Sequence, residues 1–105
     1  MNNIYATLPD AFHGEVFDSL LESRNVTIQR IVSRGHASPE SGWYDQVKNE
    51  WVMVLRGSAS IAYPDKVSVT LREGDYINIE AHEKHRVEWT DPEVQTVWLV
   101  VHYES

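Results

Sequence analysis

Cysteine is absent from all 105 residues, which excludes disulfides and thiolate metal ligands together. Any metal ion would have to be held by histidine, carboxylate or amide groups. The same absence fits a reducing compartment. Basic residues are scarce: 9 Lys and Arg stand against 16 Asp and Glu, for a formal net charge of −7. No cluster of Lys or Arg supplies the basic stripe that displaces counterions from nucleic acid. Nor is there a polybasic segment for an anionic membrane surface. No apolar run approaches the ~20 residues that span a bilayer. The opening MNNIYATLPD has no basic n-region or apolar h-region. The expectation is a soluble, cytoplasmic protein with no nucleic-acid or membrane partner.

A chain of this length folds around one core. Its organisation divides into an N-terminal segment, residues 1–24, packing on a β-domain at residues 25–105. Within the first part, EVFDSLLESRN carries Val16, Phe17, Leu20 and Leu21, spaced for one face of a short helix, with a strand as the alternative. From Asn25 the pattern turns β-like. VTIQRIV (26–32) precedes a loop-like SRGHASPESG (33–42). Then come EWVMVL (50–55), ASIAY (59–63), VSVTLR (67–72), DYINIE (75–80), HRVEWT (85–90) and TVWLVVHY (96–103). Turn signals separate them at Arg56-Gly57, Pro64-Asp65, Glu73-Gly74 and Asp91-Pro92. Short strands at regular spacing predict an all-β sandwich or barrel. No helical pattern falls between Trp51 and Tyr103, so a parallel α/β fold is excluded.

Polar residues interrupt this apolar pattern. Strand alternation puts Glu50 on one face with Val52 and Val54, and His85 on one face with Val87 and Trp89. A carboxylate among valines costs several kcal/mol unless paired, so a cation or a protonated His85 is expected beside Glu50. His82, three residues before His85, sits in a turn that could aim both rings at one point, or is a solvated loop residue. His102 alternates with Trp98 and Val100, either as a core histidine orienting Glu50 or as a ligand. Trp43 and Tyr44 could stack on a sugar or flat ring. Asp45 joins such a pocket or caps a turn.

These residues resemble a known pattern. Glu50, six residues and Gly57 match the second half of the first cupin motif, and Gly74 and His85 match the second motif. The chain is thus similar to small single-domain cupins, and the resemblance implies a jelly-roll β-barrel. Departures are clear: Tyr44 and Gln46 (Trp43 and Asp45 if the gap before Glu50 is one residue longer) stand where the first motif has paired histidines. The shorter gap is favoured because the Gln46 amide oxygen can replace a ring nitrogen. In the second motif, Glu80, His82 and Trp89 replace its Pro, Gly and Asn. The resemblance implies a divalent metal (Mn, Fe, Ni, Zn or Co) held by Gln46, Glu50, His85 and His82, an O/N donor set unsuited to Cu(I). Catalysis, if present, would rest on Glu50 and His85, of metal-dependent oxygenase, isomerase or lyase type. Tyr44, Trp43, Asp45 and His102 would line the pocket for a small polar molecule. A metal-free binder of a sugar or effector, and a structural dimerisation module with a satisfied polar core, are the alternatives. Open strand edges lead to the expectation of a homodimer.

Overall fold

The computed structural model describes residues 1–39 and 41–104. Glu40, in the loop read at 33–42, and Ser105, which ends the range 25–105, lie outside the described residues. Among the described residues the strands are β1 (Val16–Glu22), β2 (Val26–Ser33), β3 (Asn49–Arg56), β4 (Ala59–Ala62), β5 (Val69–Leu71), β6 (Tyr76–Ile79), β7 (Arg86–Thr90) and β8 (Thr96–Tyr103). They form a five-stranded sheet ordered β1-β2-β8-β3-β6 and a three-stranded sheet ordered β5-β4-β7. Every pairing is antiparallel. The all-β, cupin-type jelly-roll expectation holds. No helix among the described residues is long and apolar enough to cross a membrane.

The core lies between the sheets. Val52, Val54, Trp98 and Val100 face it from the large sheet, with Ile79 from its edge strand and Ile61 and Leu71 from the small one. Alternation in β3 and β8 sends every second residue inward, as the apolar pattern dictates. Gly57 ends β3 because no side chain fits there. Its φ is +84°, and an added Cβ would lie 2.6 Å from Thr96 Oγ1 and 2.8 Å from the Gln95 carbonyl oxygen.

The helical reading of EVFDSLLESRN is corrected. Val16–Glu22 is β1, the outermost strand, paired with β2 from Val16↔Val32 to Glu22↔Thr27. The pairing shifts between Ser19 and Leu21, so Leu20 is an extra residue. That bulge breaks the strict alternation, and the apolar spacing then imitates a helical face.

A second bulge corrects the placement of Trp89. In β7, Trp89 pairs with Ser60 but Val87 pairs with Ile61, leaving Glu88 over. The inward phase switches there: Thr90 is buried and Trp89 is exposed. His85 therefore shares no interior face with Trp89.

Residues before β1 pack over the face of β2 opposite the cavity. Arg30 anchors them, its Nη1 donating to the carbonyls of Ile4 and Ala6, both at 2.9 Å. Its Nε and Nη2 donate to Asp18 Oδ2 at 3.1 and 2.6 Å. The amide of Gln95 donates to the Pro9 carbonyl. Arg34 lies over the Phe12 ring at 4.4 Å.

Candidate functional site

Two loops carrying the motif residues are stapled together by their main chains. The Tyr44 N–H donates to the His85 carbonyl at 2.8 Å, and the His85 N–H returns to the Tyr44 carbonyl at 3.2 Å. The His82 N–H donates to the Gln46 carbonyl at 2.7 Å, and the Ala81 N–H to Asn49 Oδ1 at 2.9 Å. Gln46 and His85 are thereby brought to the same end of the sheet gap. Glu50 comes from β3, between Ile79 of β6 and His102 of β8 in register.

Tyr44, Gln46, Glu50, His85 and His102 line one cavity of about 290 Å³. Its remaining walls are mostly apolar, with Ile31, Val52, Ile61, Ile79, Val87 and Val100 among them. Glu50 meets both imidazoles, Oε1 lying 3.3 Å from His85 Nε2 and Oε2 lying 3.7 Å from His102 Nε2. Tyr44 leans over His85 with ring centroids 5.7 Å apart. Gln46 Oε1 is buried and has no hydrogen-bond partner. An unpaired buried acceptor is costly, on the order of 1–3 kcal/mol, so it marks where a donor from outside the chain would go.

His85 has both ring nitrogens on acceptors. Nδ1 lies 2.9 Å from the Glu83 carbonyl oxygen, which can only accept, so Nδ1 carries a hydrogen. Nε2 faces the Glu50 carboxylate, and two acceptors cannot face each other without a proton between them. Burial alone would push the His85 pKa down; the Glu50 carboxylate and the Glu83 carbonyl outweigh it and hold the pKa above the ordinary histidine value. The pairing with Glu50 thus favours the protonated form of His85. The loop beneath is fixed by Lys66, whose Nζ donates to Glu83 Oε2 at 2.7 Å. That hydrogen bond holds the Glu83 carboxyl below its usual range.

Three residues expected at the site lie elsewhere. Trp43 does not line the cavity and is covered instead by the Arg86 guanidinium, 4.7 Å from its ring. Asp45 and His82 pair with each other outside it, Oδ1 to Nδ1 at 2.7 Å, with side chains 44% and 65% exposed. His82 therefore cannot complete a ligand set with His85. Its φ of +64° explains the position: it occupies the left-handed conformation that the cupin motif assigns to glycine. Glu15, Phe17 and Gln29 line the cavity without having been expected there. Gln29 was detectable as the one amide alternating with Ile31 on β2. Glu15 and Phe17 were concealed by the helical reading.

Among the described residues no group of three or more His, Asp or Glu side chains is placed to hold a metal ion. The two imidazoles that approach Glu50 do so on different oxygens, and a phenol and an amide, Tyr44 and Gln46, stand where the first motif has histidines. With those two histidines replaced, the donors present fall short of the set the motif would supply.

The cupin domain family matches residues 31–102 of the chain. None of the curated proteins matches it. A structure from Ralstonia eutropha JMP134, provisionally assigned as a mannose-6-phosphate isomerase, is 42% identical with a TM-score of 0.95, covering 100% of this chain and 98% of that one. A cupin superfamily protein from Desulfitobacterium hafniense DCB-2 gives a TM-score of 0.72 at 17% identity, covering 89% and 80%. The polyketide cyclase RemF from Streptomyces resistomycificus gives 0.72 at 19%, covering 85% and 64%. The last two speak for the fold alone.

Proposed function

Since the chain belongs to the cupin family, we propose that it binds a small polar molecule in the cavity between its sheets, without a metal ion. The buried, unpartnered Gln46 Oε1 carries this reading. It sits at the polar end of an apolar-walled space near the lower size limit of small-molecule pockets. A ligand would donate to Gln46, rest its apolar face on Val52, Val87 and Val100, and meet the Glu50–His85 pair. Were turnover to accompany binding, a protonated His85 would donate a proton and the Glu50 carboxylate would accept one.

A thermal-shift screen of sugars, polyols, amines, keto acids and divalent cations tests this, with elemental analysis of protein purified without tag or added metal. A small organic molecule should stabilise the wild-type chain and leave both Gln46→Leu and Glu50→Gln unshifted. Stoichiometric metal that disappears in Glu50→Gln and His85→Ala would overturn the metal-free part. A screen in which nothing binds would leave a structural role.

The homodimer and the cytoplasmic location belong to the same proposal. β1 is outermost in its sheet and exposes Phe17, Leu20 and Leu21. Light scattering should give twice the 12.1 kDa chain mass, and Leu20→Lys with Leu21→Lys should return it to the monomer value. Cell fractionation tests the location.

A further inference from the structure

Resting on the small-molecule reading above, we propose that the cavity takes a non-anionic hydrogen-bond donor, a polyol or an amine, and rejects phosphorylated or carboxylated ligands. The lining groups carry this. Glu15 and Glu50 both line the cavity, and among the described residues no Lys or Arg does. The two imidazoles of the lining both turn an Nε2 to Glu50, His85 at 3.3 Å and His102 at 3.7 Å, and His85 Nδ1 is taken by the Glu83 carbonyl at 2.9 Å. Arg86, beside it in sequence, is turned away over Trp43.

The second carboxylate is held in place. Trp98 Nε1–H donates to Ser33 Oγ at 3.1 Å, and Ser33 Oγ–H donates to Glu15 Oε2 at 2.7 Å. Glu15 precedes β1 and is exposed at the mouth, while Glu50 lies inside. A phosphate entering past the first carboxylate toward the second meets no Lys or Arg among the described residues, and both imidazoles already lie against Glu50. Phosphate sites are built from guanidinium or ammonium groups and helix N-termini, and the described residues contain no helix. The oxygens of Gln46, Glu50 and Glu15 are acceptors, whereas a phosphate dianion or carboxylate brings only more acceptors. A hydroxyl or ammonium brings the donor that the buried Gln46 oxygen lacks.

Mannose, mannosamine and mannose 6-phosphate place three charges on one ring. Calorimetric titration of the full chain with each is expected to show the first two binding at least about tenfold tighter than the phosphate. Preference for mannosamine over mannose would assign the amine source; parity would assign the polyol. Glu15→Gln should narrow the gap to the phosphate. Mannose 6-phosphate binding as tightly as mannose overturns the inference while leaving the small-molecule reading intact. If none of the three binds, the wider screen decides: a polyol or amine hit supports the inference and a keto-acid hit overturns it. A blank screen sinks the small-molecule reading and this inference with it.

Discussion

Two charged clusters, one half-buried and one inside the cavity, lie on opposite faces of β2, and they are finished differently. Arg30, on the outer face, directs its donors at Asp18 and at the carbonyls of Ile4 and Ala6. Glu50, across the inner face, is met by two histidines, yet the Gln46 oxygen beside it has no donor. A closed network stabilises the fold it belongs to. An open one costs stability until something else completes it, and evolution keeps such costs where a ligand is bound.

Removing the outer cluster should have the larger effect on stability. Arg30→Met is expected to lower unfolding free energy by about 2 kcal/mol, since charged hydrogen bonds are lost and Asp18 is left unpaired. Ligand affinity, measured in the same preparation, should not change. If Arg30→Met abolishes binding instead, the division between the two faces fails.

Gln46→Leu should do the reverse. Replacing an unsatisfied acceptor with an apolar group of similar size is expected to raise stability by about 1 kcal/mol, read as a melting temperature about 4–8 °C higher. A loss of stability would mean that the oxygen is satisfied within the chain.

The third effect is smaller and depends on pH. The folded pKa of His85 lies above its unfolded value of about 6.5. The stabilisation from its pairing is therefore complete below about pH 6.5 and fades as pH rises through the folded value. Urea midpoints for the wild type should fall over that window, and His85→Gln should flatten this component of the curve. A wild-type midpoint that rises across the same window would contradict the raised pKa of His85.

The smallest effect is expected outside both clusters. His82→Gly relieves a left-handed backbone but gains unfolded-state entropy and loses the Asp45 contact, for a net change within about 0.5 kcal/mol. Ligand affinity should be untouched. A large loss of affinity would return His82 to the site.

Regular alternation made much of this architecture legible. β3 and β8 repeat in steps of two, so the inward positions of Glu50, Val52, Val100 and His102 follow from the sequence directly. The stapling of Gln46 to the second-motif loop was visible only through the motif resemblance, because its partners are backbone groups far away in the chain. Where the period slips by one residue, legibility stopped. Leu20 turned a strand into an apparent helix and hid Glu15 and Phe17 at the cavity mouth, and Glu88 reversed Trp89. His82 stayed open between a ligand and a solvated loop residue for a different reason: its side-chain chemistry suggests a ligand, while the position selects for backbone conformation.

The offset at Leu20 also bears on what happens when many copies are crowded together. A long, regular sheet margin is a template for endless strand addition, the route to fibrils. Here an incoming strand would find its ladder interrupted after Ser19, so growth along this side is checked by the chain's own irregularity. Deleting Leu20 should remove that brake, and turbidity on concentration would report it.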